Sequence, residues 1–201
     1  MRRSVFFRAF EPEDYVLINK WRNDPEIQKM TGGIFRYVSS EWEKSWVMDK
    51  IKSTKDMYWT ICLNDGSDRM IGYTSINNID HLNRTIFSGG ILIGDKEYRD
   101  GITLIDTLII KQDYVFNELN INRLEGSCLK EHSDSLRMML MMGLKIEGVK
   151  KQAVFKHGKY HDVYICSLLR EEYHEILNSG GYEIRNILKR LKSIKINNEI
   201  L

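Results

Sequence analysis

The segment from residue 57 to residue 118 constrains the fold of this chain most. Three strand-like runs follow one another there, and a long helical pattern comes after them. The runs are residues 57–63, 69–79 and 84–94. The first two are joined by Asn64-Asp65-Gly66-Ser67, which is a strong hairpin signal. Apolar residues then recur at helical intervals over residues 104–118. Consecutive antiparallel strands followed by a helix favour a sheet with helices packed against it.

Further patterns extend this order in both directions. Additional strands are predicted at residues 4–10, 123–129, 144–156 and 160–169. Additional helices are predicted from Pro12, from Ser39 or Ser40, and over residues 133–142. Asn23-Asp24-Pro25 is expected to break the first helix, and a looser stretch is expected after it. The sequence therefore predicts a mixed α/β (α+β) fold with about seven largely antiparallel strands flanked by helices.

The composition is that of an ordinary globular chain. Its 201 residues suit one domain, and 30 Lys and Arg against 28 Asp and Glu leave a net charge of +2. This balance argues against nucleic acid or a membrane as a partner. No apolar run is long enough for a signal peptide or a membrane span. The 3 cysteines and 5 histidines show no metal-ligand spacing. We therefore expect a cytoplasmic protein with reduced thiols and without a metal.

The C-terminal segment is a separate feature. Residues 1–178 are expected to form the main domain, and residues 179–201 an amphipathic helical tail after Gly180-Gly181. The tail is expected to dock onto its own domain or onto a second subunit. In the second case the protein is a homodimer.

A strand-to-helix connection carries the first chemical signal. The strand Gly90-Ile-Leu-Ile-Gly94 leads through a short loop to Arg99 and then into a helix. Backbone N–H groups at a helix N-terminus form a ready site for a phosphate or a pyrophosphate. Arg99 adds a guanidinium fork that suits phosphate oxygens. On this segment alone, an ordinary strand-to-helix connection explains the pattern equally well.

Several blocks in a fixed order resolve that ambiguity. They are FFRAFEPEDY (6–15), WRNDPEI (21–27), MIGYTSINNID (70–80), ILIGDKEYRDG (91–101), DYVFNELNINRLEG (113–126), EHSDSLRMMLMMGLKIEGV (131–149) and HGKYHDVYICSLLREEY (157–173). Through these blocks the chain resembles the GNAT acetyltransferases. It is most similar to the branch that contains ribosomal-protein N-terminal, spermidine and amino-sugar acetyltransferases. The resemblance implies the GNAT fold, with a splayed central strand pair, and an acyltransferase that uses acetyl-CoA as co-substrate.

The resemblance also implies the cofactor contacts. The pantetheine arm is expected along the backbone of Ile91, Leu92 and Ile93. The pyrophosphate is expected on the loop and first helical turn, formed by Arg99, Asp100, Gly101, Ile102, Thr103 and Leu104. A further contact is expected from the position just before the next helix, which is His132 here. Gly89-Gly90 is compatible with a bulge or a close backbone approach.

The chain departs from the family pattern at four places. The glycine-rich loop retains Gly101 alone, while Asp100 and Ile102 stand where glycines are usual. Ser88 stands where a Glu is frequent, Met139 where many members have a Tyr, and His132 where an Asn is usual. Asp100 either repels a pyrophosphate, points outward or caps the helix.

The reaction needs a base, an acceptor site and a donor to the thioester oxygen. A backbone N–H at Leu92 or Ile93 is the expected donor. The weak catalytic candidates are Asp80, Ser88 and Glu125; Asp80 is more readily explained as a turn residue. The weak acceptor-side candidates are Arg22, Tyr73 and Asn77, of which Arg22 could reach an anionic acceptor.

The sequence thus predicts an N-acetyltransferase that acts on a small-molecule or peptide amine by direct transfer. A protein with the GNAT fold that binds acyl-CoA weakly and is not catalytic is the alternative.

Overall fold

A computed structural model of the chain describes residues 3–30 and 36–194. Its sheet has seven strands in the order β1-β2-β3-β4-β5-β7-β6. The strands are β1 Val5–Ala9, β2 Met57–Leu63, β3 Met70–Asp80, β4 Thr85–Ile93, β5 Arg123–Leu129, β6 Lys145–Lys156 and β7 Lys159–Leu169. The helices are α1 Tyr15–Arg22, α2 Pro25–Met30, α3 Ser40–Ile51, α4 Ile102–Asp113, α5 Ser133–Met141, α6 Arg170–Asn178 and α7 Ile184–Ser193. The predicted mixed α/β fold with seven strands is confirmed.

Strand pairing explains why the sheet is mixed. The pairs β1–β2, β2–β3, β5–β7 and β6–β7 run antiparallel. In contrast, β4 and β5 run parallel, and their ladder joins Thr85–Phe87 to Arg123–Glu125. The predicted splay of this pair beyond Phe87 stays a prediction.

The chain forms two compact units. The first unit contains Met1–Ile79 and Ser88–Ile110, and the second contains Asp80–Phe87 and Lys111–Leu201.

The first unit packs helices on one face of its strands. Alternate strand residues join Ile18 and Trp21 of α1 and Val47 of α3 in one buried cluster. The opposite face buries Ile61 and Ile71, against which Ile110 of α4 packs. Helix α3 begins as its sequence predicts, because Ser39 Oγ accepts a hydrogen bond of 3.2 Å from Trp42 N. The strands therefore present one face to α1 and α3 and the other to α4.

The second unit packs α6 against the end of the long helical segment. The segment continues past α4 into a π-helical turn, Tyr114–Glu118. Arg170 Nη1 donates a hydrogen bond of 2.6 Å to Phe116 O, and Tyr173 stacks on Phe116 with 4.7 Å between ring centroids. These contacts satisfy a carbonyl that the end of a helix leaves without an intrahelical partner.

Two helices correct the sequence analysis. The stretch after Asn23 was expected to be loose, but α2 begins directly at Pro25, because Asp24 Oδ1 accepts from Glu26 N at 2.8 Å. Residues 170–178 had no predicted helix, but they form α6, where Glu172 Oε2 accepts from Leu169 N at 2.9 Å. In both cases the missed signal is a carboxylate near the helix start: Asp24 lies just before α2, and Glu172 lies in the first turn of α6.

The described part of the C-terminal tail folds back on its own unit. Helix α7 buries Ile187 completely, and Arg190 Nε donates a hydrogen bond of 3.0 Å to Met141 O in α5. The domain boundary at residues 178/179 stays a prediction, and residues 195–201 lie outside the described residues.

The cysteines behave as buried thiols. Cys62, Cys128 and Cys166 are all buried and unpaired with one another, which confirms the expected burial; their reduced state stays a prediction. Burial raises the pKa of the Cys128 thiol to about 11. A thiolate nucleophile is therefore disfavoured at neutral pH at Cys128.

Candidate active site

The C-terminal end of β4 is fixed by two backbone hydrogen bonds. Gly94 N and Asp95 N both donate to Ile71 O, at 2.8 and 3.1 Å. A Cβ on Gly94 would lie 1.9 Å from the indole ring of Trp21. Glycine is therefore required here, because α1 packs directly on the first residue of the loop.

Arg99 closes this loop onto the strand. Its Nε donates to Ile93 O at 2.9 Å, and its Nη2 donates to Gly94 O at 2.9 Å. The guanidinium thus holds the loop in a hairpin-like turn before α4 begins. These two hydrogen bonds do not use Nη1. A role of Arg99 in holding a pyrophosphate stays a prediction.

Asp100 caps α4. Its Oδ1 accepts a hydrogen bond of 2.8 Å from Thr103 N, and its backbone oxygen accepts from Ile102 N. The N-cap position itself is Gly101, whose carbonyl accepts a hydrogen bond of 2.9 Å from Ile105 N, and Asp100 lies one residue before it. Because the Asp100 side chain still takes up an amide of the first turn, the structure favours the capping alternative for Asp100. The carboxylate thereby takes an amide that a bound phosphate oxygen could otherwise use.

The residues after Asp100 form an open first turn. Gly101 adopts φ +66°, where a side chain would be strained, and a Cβ at this position would meet no atom within 4 Å. Ile102 is 56% exposed, whereas Thr103 is buried, and its carbonyl accepts from Thr107 Oγ1 at 2.8 Å. Leu104 is half-buried. Asp100 does not use the N–H groups of Gly101 and Leu104, and free space above Gly101 lets an anion approach this turn.

The middle of β4 has two differently packed sides. Leu92 packs on the cluster of α1 and α3, whereas Ile91 and Ile93 pack on the opposite cluster. A Cβ on Gly89 would lie 1.9 Å from Ser75 Oγ, which confirms a close approach as the reason for that glycine. Gly90 is exposed, and a Cβ there would meet no atom within 4 Å.

The three acceptor-side candidates lie along one wall of the first unit. Arg22 Nε donates a hydrogen bond of 3.2 Å to Tyr73 Oη. Asn77 Nδ2 donates one of 3.1 Å to Tyr58 Oη. Both tyrosines contact the ring of Trp46, with centroids 6.4 and 5.2 Å from it. The structure therefore brings Arg22, Tyr73 and Asn77 to a shared aromatic surface.

Glu43 is the residue of this wall that the sequence analysis missed. It is fully buried, and its Oε1 lies 3.0 Å from Arg22 Nη1. Burial raises the pKa of the Glu43 carboxyl, and the Arg22 charge opposes that rise. A usable signal was its spacing, because Glu43 lies four residues before the buried Val47 on the same helix face.

The catalytic candidates have these environments. Asp80 Oδ1 accepts from Leu82 N and Asn83 N, both at 2.9 Å, and the hydrogen bonds from Asn83 lower the pKa of its carboxyl. This favours the turn interpretation of Asp80. Ser88 is half-buried in β4, and Glu125 Oε1 forms an ion pair of 2.8 Å with Arg123 Nε.

His132 and Met139 lie at α5. His132 stands at the N-cap position of α5 and makes no side-chain capping bond within the described part of the chain. A Cβ on Gly126 would lie 3.1 Å from the sulfur of Met139. The phosphate role of His132 stays a prediction.

Comparison with known proteins identifies the family. The sequence profile of the acetyltransferase (GNAT) domain matches residues 4–145. This chain belongs to the GNAT acetyltransferase family. An uncharacterized N-acetyltransferase of Bacillus licheniformis is 27% identical to this GNAT protein over 175 residues, which cover 83% of this chain and 93% of that protein.

Solved structures with the GNAT fold resemble most of this chain. A GCN5-related N-acetyltransferase from Brucella melitensis gives a TM-score of 0.76 at 16% identity and covers 96% of this chain and 93% of that chain. The spermidine N-acetyltransferase from Vibrio cholerae in complex with CoA and spermine gives 0.73 at 20% identity, over 85% of this chain and 98% of that chain. These likenesses support the fold.

Over residues 3–30 and 36–194, no group of three or more His, Cys, Asp or Glu side chains is placed to hold a metal ion. The helices in the same ranges are all too short or too polar to span a membrane.

Proposed function

We propose that this GNAT protein transfers an acetyl group from acetyl-CoA directly to a primary amine. The observation that carries the proposal is the first turn of α4, which opens after the β4 loop with space above Gly101. The membership of the chain in an acetyltransferase family supports the same activity.

The residues around this turn fit a pyrophosphate in part. The N–H groups of Gly101 and Leu104 lie at the positive end of the α4 dipole, where anions are stabilised. Arg99 would contribute its remaining N–H groups. The Asp100 carboxylate opposes binding, because it carries a negative charge at the same helix end.

The backbone of Ile91, Leu92 and Ile93 would hold the pantetheine arm. An N–H of Leu92 or Ile93 would donate to the thioester oxygen as negative charge develops on it. The amine nitrogen forms a bond to the acetyl carbon, the carbon–sulfur bond breaks, and the sulfur leaves as a thiolate that takes up a proton. Acetyl-CoA supplies the activated acetyl group, while this chain supplies placement, which can be worth effective molarities of roughly 10⁵ M.

The acceptor must react as a free amine. An alkyl amine has a pKa near ~10, so a base or a water relay must remove its proton at neutral pH. Asp80 is a poor base, because its carboxylate is tied up in a turn and its pKa is lowered. Glu125 remains the weak candidate for the base, whereas the Ser88 hydroxyl is not basic enough and would serve only as a hydrogen-bond partner of a relay water.

A specific observation favours the alternative of a non-catalytic, weak acyl-CoA binder. The Asp100 carboxylate already accepts a hydrogen bond from Thr103 N, which is an amide of the phosphate turn. If this cap persists in solution and excludes the pyrophosphate, the GNAT fold is present without a usable cofactor loop.

Calorimetry with acetyl-CoA separates the two functions. The proposed enzyme binds acetyl-CoA at micromolar concentration, and Arg99→Ala weakens that binding because the loop loses the Ile93 and Gly94 anchors. Absence of binding at high micromolar acetyl-CoA contradicts the enzyme and supports the alternative.

A further inference from the structure

The acceptor-side wall contains a buried carboxylate with an unusual environment. Glu43 is 0% exposed, and within residues 3–30 and 36–194 neither of its carboxylate oxygens receives a well-aligned hydrogen bond. Its contact with Arg22 is an ion pair of 3.0 Å. Burying a carboxylate without hydrogen-bond donors is costly, and buried ion pairs are weak ground for stability. The pair therefore calls for an explanation beyond folding.

Glu43 fixes the position of the Arg22 guanidinium. Three residues hold the guanidinium. Glu43 forms an ion pair with Nη1, Tyr73 Oη lies 3.2 Å from Nε, and the ring centroid of Trp46 lies 3.7 Å from Cζ. An arginine side chain normally loses considerable rotamer freedom when it binds a ligand. Here this freedom is already removed, because the planar group is stacked on one ring, hydrogen-bonded at Nε and ion-paired at Nη1.

The Arg22 side chain remains partly accessible, whereas the Glu43 side chain does not. The Arg22 side chain is 20% exposed, and the Glu43 side chain is 0% exposed. An incoming acceptor can therefore contact Arg22 but not Glu43. The Nη2 group takes part in neither the Glu43 contact nor the Tyr73 bond, and it can donate to an oxygen atom.

The aromatic surface around Arg22 extends to β4, the strand proposed to hold the thioester. Tyr73, Trp46 and Leu92 pack on one hydrophobic cluster, and Leu92 is one of the β4 residues proposed to face the thioester. Thr74 Oγ1 also donates to Gly90 O at 3.3 Å, which ties β3 to the exposed glycine of β4. Arg22 is thus placed on the same face of the strands as the proposed site of acetyl transfer.

We propose that Glu43 is a positioning residue that holds Arg22 to recognise an oxygen atom close to the acceptor amine. The proposal rests on the proposed acetyl transfer to an amine. The acceptor class is an amine with a carbonyl or carboxylate oxygen beside it. Because the Arg22–Glu43 pair is neutral overall, an uncharged carbonyl oxygen is accepted as well as a carboxylate. A simple alkylamine or polyamine lacks this oxygen and is a poorer acceptor.

Turnover with matched acceptors tests this role. The acceptors are simple alkylamines, each paired with a carbonyl-bearing and a carboxylate-bearing amine of equal length. The kcat/KM of every acceptor is measured from the release of free thiol. The wild type prefers the two oxygen-bearing forms by about 10-fold or more, as expected for a charge-assisted hydrogen bond. Glu43→Gln leaves Arg22 with an unbalanced positive charge, so the carboxylate-to-carbonyl ratio rises by about 5-fold or more. A merely structural role lowers both acceptors equally and leaves this ratio unchanged.

Two further variants guard the interpretation. Glu41→Gln makes the same change at an exposed position of α3 and leaves the ratio at its wild-type value. Arg22→Lys keeps the charge but loses the planar fork. In this variant, kcat/KM for the oxygen-bearing acceptors therefore falls to about the value for the matched alkylamine. A wild-type preference for alkylamines, or equal ratios in Glu43→Gln and Glu41→Gln, overturns the proposal.

Failure of the enzyme itself is recognised separately. If no amine is acetylated, the Nε–H resonance of Arg22 is followed by NMR during titration with acetamide and with acetate, in the absence of acetyl-CoA. Acetamide-dependent shifts in the wild type that are lost in Glu43→Gln, but kept in Glu41→Gln, support the positioning role while the proposed function fails. An Arg22 resonance that neither probe moves overturns the positioning role.

Discussion

Replacing Asp100 by Asn tests the phosphate turn. In the wild type, Oδ1 of Asp100 accepts a hydrogen bond of 2.8 Å from Thr103 N. Asparagine caps helices about as well as aspartate does, so Asp100→Asn keeps the cap and removes the charge. We expect the variant to bind CoA more tightly, because a negative group leaves the turn on which the pyrophosphate is proposed to rest.

The size of the effect follows from the geometry. A phosphate oxygen that approaches the first-turn amides comes within about 4 Å of the carboxylate, where two unit charges in water repel by about 1 kcal/mol. Asp100 is exposed, so the water-like value applies. A pyrophosphate carries about two charges, so the repulsion is about 1–2 kcal/mol, or about 5- to 30-fold in Kd.

Calorimetric titration with CoA at low and high salt measures this difference. The gain in affinity is expected to shrink at high salt, because exposed charges are screened. Asp95→Asn is the matched control, since Asp95 also caps within this loop, with 3.3 Å between Oδ1 and Glu97 N. Equal affinities in Asp100→Asn and the wild type, or the same gain in Asp95→Asn, would refute the electrostatic argument.

Two further predictions concern stability. Gly94→Ala places a Cβ 1.9 Å from the Trp21 ring and is expected to lower the free energy of unfolding by about 1–3 kcal/mol in urea denaturation. The control is Gly90→Ala, whose Cβ meets no atom within 4 Å and which is expected to change the free energy of unfolding by less than about 1 kcal/mol. Equal effects of the two substitutions would contradict the packing at Gly94. Hydrogen bonds from Arg123 lower the pKa of Glu147 to about 2, so this carboxylate stabilises the fold above its ordinary pKa of 4.5 and loses that contribution as pH falls towards 2. The difference in unfolding free energy between the wild type and Glu147→Gln should shrink over that pH range, and a constant difference would contradict the assignment.

Much of the fold could be predicted because its signals are local. The strands of the 57–94 region and the Asn64-Asp65-Gly66-Ser67 turn follow from alternation and turn chemistry, which act within a few residues. Helix α2 was missed because Pro25 was taken as a breaker, although proline is also favoured at the first position of a helix. Helix α6 was missed because a strand and a helix meet at Leu169 and Arg170 without an intervening loop.

The candidate site was only partly predictable. The position of the phosphate turn followed from chain order, but the capping bond of Asp100 depends on a rotamer that sequence leaves open between three alternatives. The Arg22–Glu43 pair joins α1 to α3, and no local pattern relates these two residues. The helical spacing of Glu43 and Val47 is a signal that Glu43 lies on a buried face, but its pairing with Arg22 is visible only in the tertiary fold.

The central claim is that this GNAT protein uses acetyl-CoA to acetylate a primary amine. A turnover screen of amine classes with acetyl-CoA, read as release of free thiol, tests it most directly. The account predicts thiol release that depends on both acetyl-CoA and one class of amine, and that falls in Arg99→Ala. Thiol release that no amine increases, together with no binding of acetyl-CoA, would contradict it.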